Sequence, residues 1–251
     1  MSSRVGLMLY TLRGDCARDF EGTLRAVREV GYEGVELIDL HGHDPHAVRA
    51  LLDELGLAVC GRHASLERIE SDLDALAGEL RAVGSDRLVL AWIPPPATAQ
   101  EADAVVARIA PLARRVRDAG LRFGFHNHDG ELRPLDDGRT VVDRLLELDE
   151  DELFFEVDLG WAWFAGVEPA ALVERLAPRV PLVHVKDLAP RAEQLFVPVG
   201  DGDVGYGDVL PAIEGLGIDW LLVEQDEVGE LGLDAVRRSF MAVTDMVGST
   251  A

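Results

Sequence analysis

One pattern constrains this chain more than any other. Short β-rich apolar runs alternate with longer amphipathic stretches from one end to the other, eight times over. The strand-like runs are VGLMLY (5–10), GVELID (34–39), AVCGRH (58–63), RLVLAWI (87–93), RFGFH (122–126), LFFEVD (153–158), LVHVKD (182–187) and WLLVEQD (220–226). Between and after them, 3.6-residue spacing predicts helices over roughly 18–30, 45–55, 66–83, 98–119, 138–148, 169–177, 207–216 and 231–246. Near-continuous apolar runs are what parallel strands covered by helices require. VGYEG, LGLA, VGSDR, DAGLR and GLGID each put a glycine after a helical run and just before a strand, where a helix C-cap is expected.

Eight such units over 251 residues fill a (β/α)8 TIM barrel, a single domain spanning 1–251. An open doubly wound sheet is the competing arrangement. It normally carries a Gly-rich phosphate loop after its first strand, and LYTLRGDC is not one. No Ser/Gly/Pro linker or low-complexity tract divides the chain, and IPPPATAQ (93–100) reads as a stiff loop after the fourth strand.

Charge narrows the partners. The chain holds 46 acidic residues against 24 Lys and Arg, a net charge of −22. A nucleic-acid binder needs a cationic surface to displace counterions from phosphates, so nucleic acids and anionic membranes are poor partners. The apolar runs are interrupted by charges well before the ~20 residues that span a bilayer. The N-terminal apolar run is too short for a signal-peptide core, and a cytoplasmic location is expected. Cys16 and Cys60 lack CxxC spacing and read as small buried residues.

In an α/β barrel the chemistry gathers at the C-terminal strand ends, and strand alternation sorts inward from outward side chains. Phe123 and Phe125 should face the helices, which turns Gly124, His126 and His128 inward. The same parity sends Glu156 and Asp158, then His184 and Lys186, then Glu224 and Asp226 into the barrel. A β-bulge would invert any of these assignments. Strands five to eight thus deliver His126 (or nearby Glu131), Asp158, His184 and Glu224 to one mouth. Imidazoles and carboxylates together suit a divalent metal ion, Mn²⁺ first, with Mg²⁺, Co²⁺, Zn²⁺ or Fe²⁺ also compatible.

At these positions the chain resembles the sugar phosphate isomerase/epimerase family, the xylose isomerase-like barrels. The resemblance covers essentially the whole chain and rests on VGLMLYTLR, GYEGVEL, FHNHDGE, EVDLGWAWFAGVEP, PLVHVKDL, VGDGDV and LLVEQDE. It implies a metal held from strands five to eight, with Asp158, His184 and Glu224 matching the last three ligands. Many members have a glutamate at the fifth strand end. This chain has His126 there, in an HNH-type strand end, and Glu131 nearby to supply a carboxylate; both stay open. Similar barrels often pair into homo-oligomers.

The chemistry implied is metal-dependent isomerisation or epimerisation of a small sugar, keto-sugar or cyclitol through an enediolate. Loss of a β-hydroxyl would make it a dehydratase, of inosose or 3-keto-sugar type. The catalytic base is expected among Glu224, Glu131 and His126. Lys186 either stabilises an oxyanion or forms a salt bridge with Asp158 or Glu156. His63, Asn127, His128, Trp92, Trp161 and Tyr10 are candidate substrate contacts, with Trp163 a further apolar wall and Glu36 a further strand-end contact. HGHDPH (41–46) reads as a loop running into a helix rather than a metal cluster. An endonuclease IV-like phosphodiesterase would need more metal ligands and a basic rim, and a non-catalytic sugar-binding barrel would lack a ligand.

Overall fold

The computed structural model describes residues 3–189 and 196–248. Its central sheet is a closed barrel of eight parallel strands in sequential order: β1 (Arg4–Met8), β2 (Gly34–Leu37), β3 (Ala58–Ala64), β4 (Arg87–Leu90), β5 (Arg122–His126), β6 (Phe154–Asp158), β7 (Leu182–Val185) and β8 (Trp220–Val223). The ring closes where β1 pairs with β8, Arg4 opposite Trp220 and Leu7 opposite Val223. A two-stranded antiparallel ribbon, Asp187–Leu188 with Phe196–Val197, lies beyond the end of β7.

The helices are α1 (Arg13–Arg18), α2 (Phe20–Val30), α3 (Pro45–Leu55), α4 (Leu66–Val83), α5 (Ala99–Asp118), α6 (Val141–Leu145), α7 (Leu159–Ala165), α8 (Pro169–Leu176), α9 (Tyr206–Ile213) and α10 (Leu233–Gly248). Local chemistry sets their ends. Asp44 accepts from the His46 and Ala47 amides to start α3, Ser65 accepts from Arg68 to start α4, and Thr98 accepts from Glu101 to start α5. Gly84 closes α4 in the left-handed conformation, φ 81°. The expected barrel and most of its units are therefore present. Helix α7 was not expected, because LGWAWFA is apolar on every side and has no polar stripe to reveal a 3.6 period. The helix expected over 138–148 shortens to α6, fixed by a Thr140–Asp143 capping box.

Two apolar layers divide at the sheet. Outward side chains such as Val35, Phe123, Phe125, Val157, Val183 and Leu221 join the helices in the main core. A second cluster fills the barrel toward the N-terminal strand ends: Cys60, Val89, Phe154, Leu182, Trp220 and Leu222. Gly124 makes room there, since a Cβ on it would lie 2.4 Å from the Phe154 ring. One register shift matters for the mouth. Val35 pairs with Val59, but its neighbour Glu36 pairs with Gly61, so β3 carries an extra residue at Cys60. Simple alternation from Cys60 would send Arg62 inward and His63 outward. The bulge reverses that phase, so Arg62 pairs with Glu79 on α4 while His63 meets Glu156 inside the barrel.

Candidate active site

Above the apolar plug, the same strands carry charge. Glu156, wholly buried in β6, is surrounded by imidazoles: its Oε2 lies 2.5 Å from His63 Nε2, 3.0 Å from His126 Nδ1 and 3.3 Å from His184 Nε2. Glu36, from β2, lies 2.8 Å from His184 Nε2 and 3.4 Å from His63 Nε2. On its other edge His184 Nδ1 is 2.8 Å from Glu224 Oε2. One turn nearer the mouth, Lys186 Nζ sits 3.1 Å from Asp158 Oδ2, 2.9 Å from Glu224 Oε2 and 2.9 Å from Asp226 Oδ1. Of the two salt-bridge partners expected for Lys186, Asp158 is present; Glu156 instead serves the histidines.

Burial opposes every one of these charges, and neighbours decide which survive. Burial first, reinforced by the His184 charge beside His126 and the Lys186 charge beside His128, pushes the His126 imidazole down to about 3 and His128 down to about 2 against the pull of Glu156 and Glu224, leaving both neutral. Burial also acts against a charged His184, but Glu156 and Glu224 outweigh it and raise that imidazole well above its usual value. The Glu224 and Glu156 carboxylates are buried too, yet Lys186 and His184 beside the first, and His184 and His63 beside the second, hold both well below the usual range. Burial lifts Asp158 to about 6. Burial and then the Glu156 charge lift Glu36 to about 7.

Among the described residues, two groups of side chains converge closely enough to share an ion, each with its donor atoms within 4.8 Å of one another: His126, Asp158, His184 and Glu224, and deeper in the barrel His63, His126, Glu156 and His184. The upper group fits a divalent transition metal. Its two imidazoles and two carboxylates form the mixed donor set such ions prefer, and His126 and Glu224 open onto a cavity of about 520 Å³. The Glu36–His184 hydrogen bond holds the ring as an outer partner of a metal-bound imidazole would. The lower group is the more enclosed: its common partner Glu156 is 0% exposed and lies within 3.3 Å of three imidazoles, and only His63 and His126 of the group reach the cavity wall.

The remaining expected residues divide between the cavity wall and the structure around it. His63, His128, Tyr10, Trp92 and Trp161 line the cavity; Tyr10 stands on a 3-10 turn beyond the end of β1 rather than in the strand. Asn127 is turned to structure. Its Oδ1 accepts from the Asp158 amide and its Nδ2 donates to the Asp158 carbonyl, clamping the ends of β5 and β6 together. Glu131 is buried in the turn after β5, its Oε2 accepting from the His128 N–H at 2.8 Å, and belongs to neither ligand group. Trp163 packs against the main core. Glu36, expected to meet substrate, is 0% exposed beneath His184. The acid in GVEL and the first acid in FEVD were signals of such a network, since a carboxylate deep in an apolar strand needs partners. His41 and His43 stand in the loop before α3, and His46 lies in its first turn.

Comparison with known proteins agrees with this architecture. The family model of the xylose isomerase-like TIM barrel matches residues 24–240, and the chain belongs to that family. More particularly, it is 27% identical to the rhizopine catabolism protein MocC of Rhizobium meliloti, over 82% of this chain and 74% of that one. It is 24% identical to an inosose dehydratase of Geobacillus kaustophilus, over 81% of this chain and 79% of that one. A sugar phosphate isomerase/epimerase structure from Parabacteroides distasonis superposes with a TM-score of 0.80 at 18% identity, covering 98% of this chain and 95% of that one. Among the described residues, no helix is long and apolar enough to cross a membrane.

Proposed function

We propose that this protein is a metal-dependent enzyme acting on a small sugar, keto-sugar or cyclitol, by isomerisation, epimerisation or dehydration. The observation that carries the reading is the meeting of His126, Asp158, His184 and Glu224, donor atoms within 4.8 Å, with His126 and Glu224 on the wall of a cavity of about 520 Å³. The relatives named above, a rhizopine catabolism protein and an inosose dehydratase, support sugar or cyclitol chemistry.

Asp158, His184 and Glu224 would hold the ion together with one residue from the end of β5. His126 is within reach as the loop stands, whereas Glu131 would first have to release the His128 amide. A bound divalent cation polarises a carbonyl and its neighbouring hydroxyl, and so acidifies the adjacent C–H. The chain supplies the rest. Glu224, held as a carboxylate, and His126, held neutral, are the candidate proton acceptors at the cavity wall. Lys186, 1% exposed and fixed by three carboxylates, places an ammonium where an enediolate would develop negative charge. The Trp161 side chain, over which Lys186 Nζ lies 5.1 Å from the ring centroid, excludes water from that side. Returning the proton to the other carbon isomerises, returning it to the other face epimerises, and expelling a β-hydroxyl dehydrates.

Two measurements test this. Metal content by elemental analysis should be about one equivalent and should collapse in Asp158→Ala and in Glu224→Ala; full retention in both sinks the site. Comparing His126→Ala with Glu131→Gln in the same assay assigns the fifth-strand ligand. Incubation with ketoses, 3-keto sugars and inososes in D₂O should show exchange of the C–H next to the carbonyl. Absence of exchange across that panel, with Mn²⁺ present, refutes the proton-transfer reading.

A further inference from the structure

The cavity has a second polar feature, away from the metal-competent cluster. It lies on the wall formed by the end of β3 and the first turn of α4, where Arg68 faces the same space as His63 and Glu224. The charges there do not balance. Arg62 and Arg68 share one carboxylate, Glu79. Arg62, 1% exposed, takes the short contact and is held on the helix side of β3, where it cannot reach the cavity. Arg68 is left with a contact of 3.5 Å to the other oxygen of Glu79, and its side chain is 36% exposed. The surplus charge is felt by its neighbour: burial first, and then repulsion from Arg68, push the Arg62 guanidinium down to about 10, even with the Asp39 carboxylate acting the other way. The other cations on the cavity wall are matched. Lys186 has three carboxylates and His63 has two, whereas Arg68 has a share of one. In a chain of net charge −22, an undercompensated guanidinium turned into the reaction cavity is contrary to the general trend.

From this we infer that Arg68 is a specificity-determining residue, and that the substrate carries an oxyanion, a carboxylate or phosphate ester, at the end remote from the reacting carbonyl. A guanidinium presents a planar fork of donors that matches either group in bidentate geometry. A ligand oxyanion would supply the partner that Glu79 cannot share out, and would remove the repulsion between Arg62 and Arg68. The anion would also anchor the substrate at one end, while the residues around Lys186 and Glu224 act on the other. This rests on the reading of the cavity as the site of a sugar-converting enzyme, and names the class of sugar.

The test uses the full chain loaded with Mn²⁺ and titrated calorimetrically with three probes: D-xylulose, D-xylulose 5-phosphate and D-xylonate. At least one anionic probe should bind tenfold or more tighter than D-xylulose. That preference should fall below twofold in Arg68→Gln, recover in part in Arg68→Lys, and leave D-xylulose binding unchanged. Tighter binding of the phosphate assigns a phosphate ester, and tighter binding of the xylonate assigns a carboxylate. Equal binding of all three probes, or no binding of any, overturns the inference. So does a preference that survives Arg68→Gln, which would mean that the anion contacts the cation rather than the arginine. Absence of C–H exchange in D₂O would strike at the catalytic reading alone, so the two failures are told apart.

Discussion

The barrel interior is two environments built on the same strands. Toward the N-terminal ends, Cys60, Val89, Phe154, Leu182, Trp220 and Leu222 form a dry plug. Two residues further along their strands, Glu156 follows Phe154, His184 follows Leu182 and Glu224 follows Leu222, all on the same face and all buried. The first layer is held by dispersion and by exclusion of water. The second is held by mutual neutralisation of charges that would each be costly alone. A side chain lost from the plug should cost stability that no ligand restores, whereas a charge lost from the mouth should leave partners that a cation can recapture.

Substitutions in the two layers can break this contrast. Phe154→Ala should destabilise the fold by about 3–5 kcal/mol in chemical denaturation, with Mn²⁺ affinity retained; loss of metal binding in that variant would show that the layers are not separable. Lys186→Met leaves Asp158, Glu224 and Asp226 without their shared cation. It should destabilise the metal-free protein by about 3 kcal/mol, and saturating Mn²⁺ should restore most of the loss. An equal loss with and without Mn²⁺ would mean that Lys186 acts as ordinary packing.

Smaller effects sharpen the boundary. Glu36→Gln keeps the shape but weakens the partner of His184 Nε2, and should lower Mn²⁺ affinity by about 10–100-fold while moving the denaturation midpoint little. The smallest effect concerns Cys60, a plug residue whose thiol is raised by burial well above its ordinary pKa of 9.0. Its folded pKa exceeds its unfolded one, so its contribution to stability is complete below pH 9 and is lost as pH rises beyond it. The drop in Tm between pH 8.5 and pH 10.5 should therefore be smaller in Cys60→Ala than in the parent chain. An identical drop in both would place no ionisable thiol in the dry layer.

The spacing of apolar runs made much of this readable before any coordinates. The inward aim of His126, Asp158, His184 and Glu224 followed from the apolar parity of Phe123 and Phe125, Phe155 and Val157, Val183 and Val185, and Leu221 and Val223. The pairing of Asn127 with the Asp158 backbone left no trace in local spacing, because the two are 31 residues apart in sequence. Lys186 could be assigned a carboxylate but not which ones, since three carboxylates from two strand ends compete for it.

What the chain alone determined is whatever repeats locally: eight strand–helix units, the inward and outward faces of regular strands, and the helix caps at Asp44, Ser65 and Thr98. These depend on periods of two and 3.6 residues and on contacts three residues apart. Only the closed barrel decided the rest. It put the bulge at Cys60, which turns His63 inward and Arg62 outward. It sank Glu36 under His184, and it set Glu131 on the His128 amide instead of among the ligand atoms. Those outcomes depend on registers between strands distant in sequence, and local spacing carries no record of them.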